Sequence, residues 1–229
     1  MIDQIGVFAI MIITVISYWL IFREKHTYCR VPKQIWTYWE EPDHLDPYKR
    51  MSDQAIRAIR SWKQFSPNFE VIILTKKTYQ GYVTIPEHIR SHPDLQGEAL
   101  PALIKLWILA ERGGVWIDPE RVIDRSLDPW LFPKYGEATL CTFKNNTHTN
   151  ANHMIDPLII AADQKSEFIK RWRDEFSSIA QFQNIDQYLK HRDHIDQRKI
   201  KDPIKNAIQI AALIVFESQH YPKESLIII

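Results

Sequence analysis

Apolar positions fall into three kinds of run along this chain. The first kind occurs once. Ile5 to Phe22 carries no charge, and its polar breaks are Thr14, Ser17 and Tyr18. At helical rise such a run reaches roughly 27 Å, the depth of a bilayer core. Tyr18 and Trp19 near one end suit a membrane interface. The preceding Met-Ile-Asp-Gln lacks Lys and Arg, and no small-x-small cleavage site follows Phe22. The pattern therefore predicts an uncleaved anchor over about 5–22, within a leader of residues 1–29, rather than a signal peptide. Arg23, Lys25, Arg30 and Lys33 follow the span, whereas Asp3 precedes it. That bias predicts a single-pass membrane protein with the remaining domain, 30–229, on the cytoplasmic face. The sequon Asn145-Asn146-Thr147 points the other way and is outweighed by the charge bias.

Runs of the second kind are short, apolar and rich in β-branched or aromatic residues. They are Gln34–Trp39, Val71–Thr75, Val115–Ile117 and Thr139–Phe143. Apolar residues at successive positions predict strands covered on both faces, as in parallel sheets. The third kind repeats at helical spacing. Met51–Phe65 places Ile56, Ile59 and Trp62 together, with Ser52 as a cap. Pro101–Arg112 aligns Leu103, Leu106, Trp107 and Ala110, and Gly113-Gly114 stops it. Asp156–Ala162 and Lys165–Ala180 also read as helices. Tyr79–Gln96 reads as irregular, and 190–205 as a charged connection. The apolar Ala207–Phe216 would pack on the core or lie along a membrane surface. Strand and helix alternate, which predicts an α/β domain with a mostly parallel sheet.

Composition narrows the function. Hydrophobic residues make up 45% and charged residues 25%, an ordinary globular balance. Lys plus Arg is 29 against 28 for Asp plus Glu, so no electrostatic case exists for nucleic acid as a partner. With Cys29 and Cys141 alone, a disulfide scaffold or multi-cysteine zinc site is excluded.

The candidate chemistry lies in Gly113-Gly114-Val115-Trp116-Ile117-Asp118-Pro119-Glu120. Asp118 stands at the carboxyl end of a predicted strand, where open α/β sheets bind ligands. Alternation along an extended chain would put Asp118 and Glu120 on one side. Two carboxylates there make a hard-oxygen site suited to Mg2+ or Mn2+, with substrate phosphates as further ligands. That arrangement suits departure of a nucleoside diphosphate.

Three blocks carry a resemblance. Val31-Pro32-Lys33-Gln34-Ile35-Trp36-Thr37-Tyr38-Trp39-Glu40 resembles the opening strand of the capsular-polysaccharide-synthesis and Och1-like sugar transferases, which carry an Asp-x-Asp motif. Ser61-Trp62-Lys63-Gln64-Phe65-Ser66-Pro67-Asn68-Phe69-Glu70-Val71 is similar to their next segment, and Leu109 to Asp118 to the block leading into the motif. The resemblance covers roughly residues 31–190. It implies a GT-A-like, Rossmann-type nucleotide-sugar transferase domain. A sugar would pass from a UDP- or GDP-sugar to a glycan or glycolipid acceptor, in polysaccharide or glycoconjugate synthesis; Och1-like members retain the anomeric configuration. It further implies that Trp36 and Tyr38 line the nucleotide pocket. Asp118 would be the catalytic residue facing metal, pyrophosphate and sugar, and Glu120 a direct ligand of Mn2+ or Mg2+.

The family's Ser-Asp-x-x-Arg element is replaced here by Pro101, Ala102 and Lys105. Lys105 keeps a cation for phosphate or sugar but lacks the guanidinium fork. No clear counterpart of the family's C-terminal metal-binding histidine is present. Two alternatives therefore stay open. One is a catalytically inactive relative that serves as a membrane-anchored binding or assembly subunit. The other is a metal-dependent phosphohydrolase using the same carboxylates.

Overall fold

A computed structural model describes residues 31–40, 51–131, 141–142, 157–164, 166–192, 206–217 and 227–228. Its strands are β1 (Gln34–Tyr38), β2 (Glu70–Leu74), β3 (Gly114–Ile117), β4 (Cys141–Thr142), β5 (Ile159–Ala162) and β6 (Ile227–Ile228). Its α-helices are α1 (Asp53–Phe65), α2 (Glu87–Arg90), α3 (Leu100–Arg112), α4 (Asp128–Leu131), α5 (Glu167–Ser177), α6 (Ile185–Lys190) and α7 (Ala207–Glu217).

The six strands form one sheet in the order β2-β1-β3-β5-β4-β6. β1 pairs parallel with β2 and with β3, as the continuously apolar runs predict. Beyond β3 the expectation fails. β5 pairs antiparallel with both β3 and β4, and β4 pairs parallel with β6. The sheet is mixed, not mostly parallel. β5 lies within the segment expected to be a helix. Its four residues, Ile-Ile-Ala-Ala, are too few to show a helical period. They take strand geometry from pairing with Gly114–Ile117 on one side and Cys141 on the other.

Strand alternation divides the core into two layers. Ile35, Val115, Ile117 and Ala161 face α1, where they meet Ala55, Ala58, Ile59 and Trp62. Trp36, Tyr38, Trp116, Ile160 and Ala162 face the opposite layer, which holds α3, α5 and α7. Ser52 caps α1 as expected, its Oγ accepting from Ala55 N at 3.1 Å. α7 is buried on all sides, from Ala207 to Phe216, so this apolar segment belongs to the core. Trp172 of α5 ties it down by donating its indole N–H to Ile208 O at 2.6 Å.

The expected membrane-anchored architecture, with its cytoplasmic-face placement, is corrected as well. Among the described residues no helix is long and apolar enough to cross a membrane. The span expected at 5–22 lies outside the described residues, as do most of the expected strand Thr139–Phe143, the polar loop after it and the sequon.

Candidate functional site

The turn from α3 into β3 sets the geometry. Gly113 (φ 65°) and Gly114 (φ 96°) both lie in the left-handed region that side chains avoid. Space forbids side chains too. A Cβ on Gly114 would stand 2.7 Å from Trp36 Nε1 and 2.9 Å from Gln34 O. Trp36 occupies that space and donates its indole N–H to Gly113 O at 2.9 Å. It is 1% exposed and meets Tyr82 edge-on at 5.3 Å. The structure therefore places Trp36 behind the site, locking β1 to the α3–β3 turn. Tyr38 ends β1 and is 5% exposed. Burial, then the neighbouring Glu40 charge, pushes its phenol up to about 12, so it is a neutral hydroxyl across the physiological range.

Asp118 follows directly at the carboxyl end of β3, its N–H bonded to Leu158 O at 2.9 Å. Its side chain turns toward α3. Oδ1 accepts from Trp116 Nε1 at 2.6 Å and lies 3.0 Å from Lys105 Nζ. Lys105 projects from the second turn of α3 and is almost fully buried. Its ammonium also donates to Pro157 O at 2.6 Å and sits 5.3 Å over the Trp116 ring. A buried ammonium persists only with such partners. Sequence reasoning expected Lys105 to contact the ligand. In the structure its ammonium holds Asp118 Oδ1, which also accepts from Trp116, and donates to the Pro157 carbonyl. Strand alternation places Trp116, two residues before Asp118, on the same side of β3.

Glu120 lies in different surroundings. Arg121 N bonds Asp118 O at 3.0 Å, so residues 118–121 form a tight turn, and the alternation expected for Asp118 and Glu120 does not hold. Pro119, with its fixed φ, suits that turn. Glu120 is exposed and points toward the start of α1, where Ser52 Oγ approaches Oε1 at 3.4 Å and Gln54 Nε2 donates to Glu120 O at 3.3 Å. The chain beyond is laid along α1. Trp62 Nε1 donates to Arg121 O at 2.6 Å, and Ser61 and Ser66 accept from Ile123 N and Leu127 N.

Among the described residues no cluster of three or more His, Cys, Asp or Glu is placed to hold a metal. Asp118 keeps Oδ2 clear of its two Oδ1 contacts, and Glu120 is solvent-facing. Asp118 and Glu120 are the carboxylates here that could offer oxygens to Mg2+ or Mn2+, and a divalent ion would need substrate phosphates to complete its shell.

A family model described as "Capsular polysaccharide synthesis protein" matches residues 20–209. No curated protein matches the chain. Among solved structures, the PaToxG glycosyltransferase aligns with a TM-score of 0.52 at 12% identity, over 84% of this chain and 74% of that one. That likeness gives the fold of a glycosyltransferase. The glycosyltransferase GlyE of Streptococcus pneumoniae TIGR4 aligns at 0.42 and 11% identity, over 86% of this chain and 53% of that one. The galactosyltransferase LgtC, solved with donor and acceptor sugar analogues, aligns at 0.43 and 12%, over 77% and 70%.

Proposed function

The chain belongs to the capsular polysaccharide synthesis protein family, and from that premise we propose that it transfers a sugar from a nucleotide-sugar to a glycan or glycolipid acceptor, with Asp118 at the centre of the site. One observation carries the reading. Asp118 stands at the carboxyl end of β3 with its carboxylate fixed by Lys105 and Trp116. That is the sheet position where α/β folds bind ligands, and the glycosyltransferase-like fold supplies the chemistry that fits it.

In this reading Asp118 reaches the donor through Oδ2, since Oδ1 is held from behind. Glu120, on its own turn, supplies a second oxygen. Mn2+ or Mg2+ held by these two residues would supply Lewis-acid stabilisation of the departing pyrophosphate. Lys105 positions Asp118 and offsets part of its charge, which tempers repulsion of a diphosphate. Tyr38, neutral and at the end of β1, offers a hydroxyl beside the nucleotide. Trp36 acts from the core, by holding β1 against Gly113. The donor is a UDP- or GDP-sugar.

The test is turnover by the full chain. UDP- and GDP-sugars are supplied with Mn2+ and a panel of oligosaccharide and glycolipid acceptors, and nucleoside diphosphate release is followed. Acceptor-dependent release that is lost in Asp118→Asn supports the reading. Ala102, which offers no polar atom where the family has an aspartate, favours a second reading: a relative that binds without turning over. Nucleotide binding with no release from any donor would favour that one. Phosphate release without acceptor dependence would indicate a phosphohydrolase.

A further inference from the structure

β2 stands at one edge of the sheet, with β1 as its neighbour. That pairing fixes where its backbone groups point. Glu70 N bonds Lys33 O at 3.0 Å, and Trp39 N bonds Leu74 O at 2.9 Å, in the parallel register that sets Gln34 against Glu70 and Tyr38 against Leu74. In a parallel ladder each residue turns its N–H and C=O to one side, and successive residues alternate. Glu70, Ile72 and Leu74 therefore serve β1, whereas Phe69, Val71, Ile73 and Thr75 face outward. Both ends of this outward row are closed within the chain. Phe69 N bonds Ser66 O at 3.0 Å, and Thr75 N bonds Thr78 Oγ1 at 2.9 Å. Between them lie Val71 and Ile73, whose outward N–H and C=O groups bond none of the described residues. Proteins commonly blunt such an edge with proline, charge or a bulge. Here the segment between Glu70 and Leu74 is Val-Ile-Ile, and all three side chains are half-buried.

The open groups complement themselves. A second copy turned about a two-fold axis through Ile72 sets Val71 of each chain against Ile73 of the other. Each such pair can exchange both N–H···O bonds, as antiparallel ladders do. Ile72 then meets its own copy in the position without hydrogen bonds, where β-branched side chains pack closely. Charge agrees with this register. The exposed Glu70 falls opposite the second copy's Leu74, and the exposed Lys76 lies two positions further on, within diagonal reach. Parallel pairing in register would instead set Glu70 against Glu70. We propose that β2 pairs antiparallel with β2 of a second copy of this chain, so that the sheet runs through an isologous dimer. The proposal does not depend on the transferase reading. Because the two copies run in opposite directions, their Asp118 sites lie toward opposite ends of the joined sheet.

Sedimentation velocity of the full chain at micromolar concentrations is expected to show a dimer. Val71→Pro removes an outward N–H and no bond to β1, a position where an edge strand tolerates proline. It should give a monomer with the circular dichroism of the parent. Glu70→Lys should raise the dissociation constant severalfold, and Lys76→Glu added in the same chain should restore it. A cross-link reports the register even if the proline variant misfolds. In a Cys29→Ser, Cys141→Ser background, Ile72→Cys should form a covalent dimer on oxidation, because directly opposed residues of that kind have Cα atoms about 4.5 Å apart. Val71→Cys should not. A parent that stays monomeric would overturn the proposal. So would a dimer that survives folded Val71→Pro, a dissociation constant unmoved by Glu70→Lys, or cross-linking at Val71 in place of Ile72.

Discussion

Asp118 and Glu120 are separated by one proline and occupy opposite kinds of environment. Asp118 is backed by a buried ammonium and an indole N–H, so its orientation is fixed before any ligand arrives. Glu120 is exposed, and among the described residues its carboxylate meets a single long contact, from Ser52 Oγ at 3.4 Å, so it is held less firmly than Asp118. The contrast divides the labour. A pre-organised carboxylate can orient a donor without reorganising, whereas a loose one can close a metal shell that substrate completes. It also divides the expected cost of mutation, because the fixed carboxylate is part of the core's charge balance and the loose one is not.

The sharpest way to break the contrast is at the turn that creates it. Gly114→Ala forces a Cβ against Trp36 Nε1 and Gln34 O at a positive φ. We expect a loss of about 3 kcal/mol or more in urea unfolding, with the site disordered on both sides. Next comes the pair itself. Lys105→Met leaves Asp118 without its cation and Pro157 O without its donor. The expected loss is about 2–3 kcal/mol, at the low end for buried pairs because Asp118 is partly exposed. Lys105→Arg should recover less than half of that, since a guanidinium does not fit the ammonium's three-way seat.

Glu120→Gln sharpens the contrast from the other side. Stability should stay within about 0.5 kcal/mol of the parent, while the metal requirement of nucleotide binding weakens. A further effect, confined to high pH, concerns Tyr38. Its phenol ionises near 10 in the unfolded chain and near 12 in the fold, so folding disfavours the charged form. That stabilisation is complete below pH 10 and is lost as pH rises toward about 12. Urea unfolding across this window should show a shallower decline for Tyr38→Phe than for the parent. The decline will not vanish, because the Tyr188 phenol is pushed up as well by burial and by Glu175.

Much of the parallel half of the sheet was readable from sequence. Gln34–Tyr38 and Glu70–Leu74 announce themselves by near-continuous apolar runs, and Gly113-Gly114 by the stop after a strong helix. The antiparallel half was not. Ile159–Ala162 has no period of its own, and its strand character comes from partners far away in the chain. The position of Asp118 followed from the strand that precedes it. The burial of Lys105 did not, because α3 reads as an amphipathic helix with a lysine off its apolar face. Only the packing of α5 on one side and the sheet on the other shows that the helix is covered nearly all round. The failed alternation between Asp118 and Glu120 had a signal in Pro119, which favours the turn over a continued strand.

The most direct test of the account is calorimetric titration of the full chain with UDP and GDP, with and without Mn2+, in the parent, Asp118→Asn and Glu120→Gln. The account predicts that one nucleotide binds the parent in the presence of metal, that Asp118→Asn abolishes this binding in a folded chain, and that Glu120→Gln weakens its metal dependence. Unchanged binding in Asp118→Asn would contradict the central place given to that carboxylate.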